Sequence, residues 1–575
     1  MKHKVRSWLL IDKKFILILF LSLGFIKLNA QVSNYFSKTF DLSVDFIDGF
    51  TSGIAAYNDT LVYIQGFEVK NDNSRPVFIT CINLKSMDTL WVKKYGSSTE
   101  FHFRPLGSSL LILNNYIYCC GYYADTTSNN THPYVYKFNL NGDTIWRKIY
   151  KNFTSVNNGF NSIRATRDQN LIIGGTGGIL TSNLNFLLVK IDTSGNSIFT
   201  RNFGGGNNEV TYEIDTTQDG GFILGGYREV PGPIWQGYIV KADSLGNFEW
   251  EQLLSNDSPV WLKSLSNGNI VVYSGATTPN PSQRDGYVAI IDTFNGIIVK
   301  DQSYYFSDFD YTGFLGVVQS DENLFFIGNA WSNVINNPGG ILLKTNLNLD
   351  SLASRWYIER TNDNYLNSLI KTNKDEFLMP GFLFPDGSGN SQDSWLLYTN
   401  CIGALEPPTA IAELNSNENS FQQEITLTNQ STEFDHCLIN WQDGTLDTVY
   451  FEYDSLHTHQ YALPGQYDIT VSAIACNDTS IWQTTLTVLP NEYEGSLKVF
   501  PNPTNGNLNI WYPSMDAFTL RVFDDTGRLV KQENLNENTI NNGYNVNLSL
   551  LSSGIYLLNL NSEGEQLSVK VVKTE

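Results

Sequence analysis

The chain has 575 residues, a formal charge of −21 and 17% charged residues, against 13% aromatics and 45 glycines. A length beyond a single core predicts two to four domains, and a composition rich in aromatics and glycine suits short strands and tight turns better than helices. The acidic balance repels phosphate backbones and anionic lipid heads, which argues against nucleic acid as a partner, and six scattered cysteines without a C-x-x-C pair argue against a disulfide scaffold or a zinc site.

At the N-terminus Lys2, Lys4, Arg6, Lys13 and Lys14 precede an apolar run from Phe15 to Ile26, and Leu28-Asn29-Ala30 precedes Gln31. This is the order of a secretory signal peptide over residues 1–30, cut between Ala30 and Gln31. The apolar run is shorter than the roughly 18 residues that cross a bilayer, so no transmembrane span is expected. No cysteine follows the cut to take a lipid anchor, and the Leu at the minus-three position leaves a retained segment as the alternative. Removal takes away six Lys/Arg and one Asp, making the mature chain more acidic still.

From residue 33 to 404 a unit of about 50 to 56 residues recurs, the signature of a repeat architecture. Each unit opens with a tight-turn pair: Asn58-Asp59, Asn114-Asn115, Asp168-Gln169, Asp219-Gly220, Asn267-Gly268, Asp321-Glu322 and Lys374-Asp375. Most of these tolerate positive φ and so predict a hairpin. Next comes an apolar strand closing on Gly66, Gly121, Gly175, Gly226, Gly275, Gly328 or Gly381, where a missing Cβ permits a bend or a close contact. A third strand ends in Asn83, Asn139, Asp192, Asp243, Asp292, Asn346 or Asn400, each able to cap the following turn through its own backbone. Last stand Trp91, Trp146, Phe199, Trp250, Val299 and Trp356, three of them continuing as aromatic-x-x-x-aromatic to Tyr95, Tyr150 and Phe203.

That last element occurs six times, while the seventh unit runs out at Cys401-Ile402-Gly403. The same aromatic spacing stands at the other end of the chain, in Phe36-Ser37-Lys38-Thr39-Phe40. An open stack has no use for a strand borrowed from its far terminus, whereas a ring closes with it and hides two sheet edges. Residues 31–404 are therefore expected to form a seven-bladed β-propeller closed by residues 33–40. The repeats, such as LLVKIDTSG and DGGFILGG, resemble those of propellers in exported bacterial proteins, a resemblance that implies fold and not activity.

After Glu406-Pro407-Pro408 the repeat stops, and residues 405–490 read as a second domain. Trp441-Gln442-Asp443-Gly444 and His459-Gln460-Tyr461, followed by Gly465 and Tyr467, are similar to the motifs of the PKD type of immunoglobulin-like β-sandwich, with Gln442 where that family usually has Gly. The resemblance makes Trp441 and Tyr461 core aromatics. His457 and His459 share a strand face without a third ligand, so a packed His459 and an exposed His457 are expected. Cys437 and Cys476 fall on two strands of this module, and an oxidising exported setting allows either a bridge between them or free thiols.

Residues 491–575 carry Pro501-Asn502-Pro503 with Gly506, then Asp524 with Gly527, then Leu551 with Gly554 and Tyr556, and a basic end at Lys573. Physically, the prolines fix an extended entry and Gly506, Gly527 and Gly554 fall where turns need them. This order resembles the type A C-terminal sorting domain of the bacterial type IX secretion system. The resemblance implies that machinery as a partner and a secreted or cell-surface destination after periplasmic transit. The fold class expected for the whole chain is all-β: a seven-bladed β-propeller, an immunoglobulin-like (PKD) β-sandwich and a small C-terminal β-sandwich sorting domain.

Chemistry is sparsely supplied. The repeat region holds only His102 and His132, too few for a histidine-based triad or metal site. No phosphate loop or nucleophile elbow occurs, and Asp386-Gly387-Ser388-Gly389-Asn390 is an incomplete calcium loop. No metal, cofactor or catalytic residue is assigned, and vicinal Cys119-Cys120 read as buried small hydrophobes. In four-stranded blades the connections between second and third strands, and those between blades, emerge on one face, and here they are long. That face carries Trp235, Trp331, Arg228, Arg284 and Phe384, the candidate ligand-binding residues, with polysaccharide or a surface glycan as ligand class. Each aromatic has the alternative role of plugging a gap between blades. The chain reads as an exported, monomeric binding or adhesion-type protein. The alternative is a secreted propeller polysaccharide hydrolase or lyase, which would need convergent carboxylates or a Tyr/Arg pair at the axial channel.

Overall fold

A computed structural model of the chain describes residues 35–574 apart from short stretches, of which those of five residues or more are 152–156, 179–183, 278–283, 385–391, 416–423, 489–496, 512–516 and 537–543. The signal segment with its Ala30-Gln31 boundary and the Asp386 loop lie outside the described residues. Every named element is a β-strand. Among the described residues no helix is long and apolar enough to cross a membrane. The chain divides into two units, Met1–Glu406 and Pro407–Glu575.

In the first unit, antiparallel strands follow one another in groups of four. The third group is Gly159–Ala165, Leu171–Gly177, Asn185–Ile191 and Ser197–Phe203, and the fourth is Glu209–Thr216, Phe222–Val230, Ile234–Ala242 and Phe248–Leu253. The first group spans Ile47 to Tyr95, and the second spans Glu100 to Ile149 with its first strand split into Glu100–Phe103 and Leu110–Leu113. The fifth and sixth, Trp261 to Tyr304 and Phe309 to Tyr357, are joined by one parallel pair, Arg284 with Tyr311. The last group takes Asn364–Leu366, Ile370–Lys371, Phe377–Leu383 and Asp393–Thr399 from one end of the repeat region and Phe36–Phe40 from the other. First strands of successive groups touch in order, and that of the first group meets the last group, so the unit closes on itself.

Local sequence explains the groups. All seven Asx residues cap the turn they open; Asp192 Oδ1, for instance, accepts the N–H of Ser194 at 2.9 Å and of Asn196 at 2.8 Å. Five of the seven expected hairpin pairs place one residue at positive φ (Gln169, Gly220, Gly268, Asp321, Asp375) and Asn114-Asn115 places both. Asn58-Asp59 places neither, and Asn58 Oδ1 instead accepts from Thr60 and Leu61. Gly66, Gly175, Gly226 and Gly328 face register shifts in the first strand. At Gly226 a Cβ would lie 1.9 Å from the carbonyl oxygen of Val210, beside the register shift between Thr211 and Glu213, so only glycine lets the bulge pass.

Between groups, aromatic side chains of the outer strands grip the next group's turn. Trp146 lies against Gly195, whose φ is +82°, and Tyr150 donates its hydroxyl to the Gly195 carbonyl at 3.1 Å. Trp91 and Tyr95 do the same at Gly142, and Tyr357 reaches the Gly403 carbonyl at 2.7 Å. The fifth group departs from the spacing expected of Val299. Its turn is one residue longer, with the Asp292 N–H bonding the Ile297 carbonyl, and Val299 is exposed. Pairing with Ile290 puts Lys300 in the Trp position, and Tyr304, four residues on, donates to the Leu349 carbonyl at 2.7 Å. Phe36 pairs with Tyr398, two residues before Asn400, the position Trp91 holds opposite Cys81 before Asn83. Lys38 of the same strand donates to the Met87 carbonyl in the first group's turn.

The second unit contains two pairs of sheets. Strands Ala412–Asn415, Glu424–Asn429 and Ser455–Gln460 form one sheet, and Leu446–Tyr450, His436–Asn440, Gly465–Ala475 and Asp478–Val488 another, around a shared core with Trp441 and Tyr461 fully buried. His459 stacks on Trp441 at 4.6 Å and bonds Asp443 at 2.8 Å, while His457 bonds Ser455. Cys437 is a free buried thiol and is not bridged to Cys476. Cys437 pairs across the ladder with Ala473, so Cys476 sits three residues further on, roughly 10 Å along the strand and beyond disulfide reach. The last pair of sheets joins Lys498–Phe500, Asn507–Trp511 and Tyr544–Asn547 with Leu529–Asn536, Ala517–Phe523, Gly554–Ser562 and Glu565–Lys573. Gly506 and Gly527 hold positive φ, but Gly554 does not; it opens a strand in open space, so no turn requires it.

Two predictions follow from this closure. Gly195→Ala forces a side chain at positive φ into Trp146 and Lys148, and should cost about 1–3 kcal/mol in chemical denaturation. Asp48, 1% exposed, accepts from Leu42 N, Ser394 N and Ser394 Oγ where the first and last groups meet, yet burial raises its pKa to about 6. A raised folded pKa favours the neutral acid, so its stabilising effect is full at low pH and is lost as pH rises from 3.8 through 6. Stability relative to Asp48→Asn should therefore fall by about 2–3 kcal/mol between about pH 4 and pH 7; parallel pH profiles for the two proteins would contradict this.

Candidate functional site

One segment bonds groups far apart around the ring. Residues 104–109, inserted in the split strand of the second group, place the Arg104 guanidinium on Asn367 and 5.3 Å from the ring of Phe382, both in the last group. The Leu106 carbonyl accepts from Trp261 Nε1 at 2.9 Å, its N–H reaches Asn161 Oδ1 at 3.3 Å, and Ser108 donates both N–H and Oγ to Glu213 at 3.1 Å. Only a segment crossing the axis reaches the third, fourth, fifth and last groups together, so residues 104–109 form a strap over the channel. Burial lowers Arg104 to about 10.

Beneath the strap lies a cavity of about 240 Å³ lined by Ser108, Arg164, Glu213, Lys263, Tyr273 and Lys371 among others. Most of these come from the ends of first strands, close to the hairpin turns, so the cavity lies toward the turn side. Arg164 binds Glu213 at 2.9 Å and approaches Asp215 at 3.6 Å, Lys263 meets the other Asp215 oxygen at 3.3 Å, and Ser162 donates to Glu213. Burial alone would raise Asp215, but Lys263 and Arg164 hold it below the usual carboxylate range; burial and the Glu213 charge push Tyr273 well up. Both are moved away from neutral pH, the reverse of what a proton-transferring pair needs. Arg164 also donates to the Ile163 and Ser108 carbonyls, so both terminal nitrogens of its guanidinium are engaged. A signal for this cluster was present in the chain: Arg164, Asp215 and Lys263 stand at one register position of the first strand in three successive groups.

The residues expected to bind ligand are dispersed. Trp235 is 50% exposed and stacked on Tyr227 at 5.2 Å with an interplanar angle of 25°, an aromatic step on the fourth group. Arg228 beside it is held by Glu209 at 2.9 Å and Glu251 at 3.4 Å and lies 3.8 Å from the Tyr238 ring, so it braces the strand. Trp331 is 37% exposed on the sixth group, one whole group away from Trp235. Phe384 packs edge-on against Tyr365 and Phe382. The Arg284 backbone pairs with Thr277 and Tyr311, and its side chain lies outside the described residues. His102 is buried between Tyr134 and Glu100, and Arg147 completes that cluster at 2.8 Å from Glu100. Among the described residues no three His, Cys, Asp or Glu side chains are grouped to hold a metal.

Residues 498–574 match the family described as the secretion system C-terminal sorting domain. That domain supports export through the type IX system to a secreted or cell-surface location, with its machinery as a partner. No curated protein matches the chain. Similar solved structures include the extracellular domain of a hybrid two-component system protein from B. thetaiotaomicron, with TM-score 0.36 and 11% identity over 77% of this chain and 56% of that one; the chain thus spans just over half of its length. The polysaccharide lyase Uly1 has TM-score 0.39 and 10% identity over 61% and 90% of the two chains. The β-propeller domain of the Trilobed protease from Pyrococcus furiosus has TM-score 0.34 and 13% identity over 61% and 95%. Scores this low assign no function.

Removing one partner from the axial cluster gives a direct check. Arg164→Leu leaves Glu213 and Asp215 buried beside a missing cation and should cost about 3–5 kcal/mol in chemical denaturation. Lys263→Ala, at a side chain 40% exposed, should cost under about 1 kcal/mol. Equal effects would show that the cluster is solvated.

Proposed function

We propose that this is an exported glycan-binding protein of adhesion type. In this reading residues 31–404 are a seven-bladed β-propeller closed by residues 33–40, supported by the groups of four strands and by the N-terminal strand that completes the last of them. Residues 405–490 are a PKD-like immunoglobulin-type β-sandwich that spaces the propeller from the sorting domain at residues 491–575, and residues 1–30 are a signal peptide removed in the periplasm. The protein acts as a monomer.

The observation that carries the binding reading is the half-exposed Trp235 held flat on Tyr227. A rigid indole with one face in water offers apolar area at little entropic cost, which suits the apolar face of a pyranose. Trp331 gives a second exposed indole, and Arg228 braces the strand that pairs with Trp235. The convergence of Arg164, Tyr273, Glu213 and Asp215 at the axis favours the second reading, a polysaccharide hydrolase or lyase. The ion pairs of Arg164 with Glu213 and Asp215, and the directions in which Asp215 and Tyr273 are shifted, weigh against it.

A glycan array probed with the secreted protein tests both. A glycan retained by the wild type should lose about tenfold or more in affinity with Trp235→Ala, roughly the worth of one stacking contact, while thermal unfolding stays the same. Undiminished binding by the Trp235→Ala, Trp331→Ala double variant would remove the aromatic platform, and new reducing ends released from the array glycans would favour the enzyme.

A further inference from the structure

The proline-flanked motif of the sorting domain lies along the chain's own last strand. Glu565–Lys573 is the edge of its four-stranded sheet, paired on one side with Gly554–Ser562. On the other side Asn502 closes a two-point contact: Nδ2 donates to the Lys570 carbonyl at 2.7 Å and Oδ1 accepts the Val572 N–H at 2.9 Å. Thr504 continues it, its N–H bonding the Val572 carbonyl at 2.9 Å and its carbonyl accepting from Thr574 N at 2.8 Å. Thr504 and Lys573 form an isolated parallel bridge.

The arrangement does two things that the residue types explain. An edge strand leaves one row of backbone groups unpaired, and here both backbone edges of residues 570–573 are engaged. Pro501 and Pro503 have no N–H, so the segment that covers the edge cannot itself recruit a further strand. The primary amide of Asn502 supplies one donor and one acceptor in the geometry of a peptide group, which neither Asp nor Ala reproduces. The loop behind it is set by Gly506 at φ +131°, where a Cβ would meet the Ser549 backbone at 2.9 Å, and by Thr504 Oγ1 donating to the Asn507 carbonyl at 2.6 Å.

We propose that Asn502 is a positioning residue for export: it fixes the terminal strand on the sorting domain, so that residues 570–574 are presented in one register to the secretion machinery. The motif then acts through the strand it holds. The test uses the full chain in a bacterium with a functional type IX system, comparing wild type, Asn502→Ala and Asn502→Asp, with hydrogen exchange on the purified chains. Asn502→Ala should speed exchange of the C-terminal amides about tenfold or more and leave most of the protein in the periplasm, while the melting of the rest of the chain is unchanged. Asn502→Asp retains the acceptor for Val572 N–H but loses the donor to Lys570, so both effects should be intermediate. Fast exchange with full export would overturn the proposal. So would export lost at wild-type exchange, since Asn502 would then act on the machinery directly, or no change in exchange for either variant.

Discussion

At Gly195 the backbone turns with φ +82° beneath the indole of Trp146, and Tyr150 hydrogen-bonds the carbonyl of the same glycine. The rest of the first unit depends on repeats of this contact. A four-stranded sheet buries one face against each neighbour, and the turn after its third strand is where the neighbour's outer strand must land. Any side chain larger than hydrogen at Gly142, Gly195 or Gly246 would hold the aromatic ring off. The apolar cores between groups then lose their spacing, at a cost of roughly 25 cal/mol for each Å² left in water. Closure needs the same contact at the seam, and Phe36, Phe40 and Lys38 provide it from the N-terminal strand.

With the groups spaced in this way, the axis becomes a narrow, partly dry channel where charges must pair. Arg164, Glu213, Asp215 and Lys263 neutralise one another, and the strap at residues 104–109 adds hydrogen-bond donors to Glu213 and covers the channel. A cluster of this kind is strongly destabilised by losing one member yet adds little net stability as a whole, which identifies it as a device for specifying one arrangement. Away from the axis, Trp235 and Trp331 lie near strand ends with their side chains partly exposed.

Much of the architecture was legible in the chain because its determinants are local. The Asx turns close within four or five residues by side chain to backbone bonds, and glycine at positive φ is demanded by the turn itself. Where a local count slipped, one residue was enough. The longer turn after Asp292 moved the clamp position from Val299 to Lys300, because a strand's side chains reverse face with every residue. Gly554 lay at a motif position without a turn to require it. Cys437 sits on a strand, but Cys476 falls in the turn after Ala475, three positions beyond Ala473, the partner of Cys437, and out of bonding distance.

By itself, then, the amino-acid order determined strand identity and turn chemistry, which rest on hydrogen bonds within a short span of chain, and it marked the displaced closing strand and the sorting motif through repeated spacing and residue order. Only the tertiary structure decided which charges meet at the axis, that Arg104 bonds a residue 263 positions away, and that Asn502 clasps a strand near the chain's end. Closure brings such residues together, and pairing across that distance leaves no periodic trace in the chain, because it is set by the geometry of the whole ring or sheet and not by the residues' neighbours.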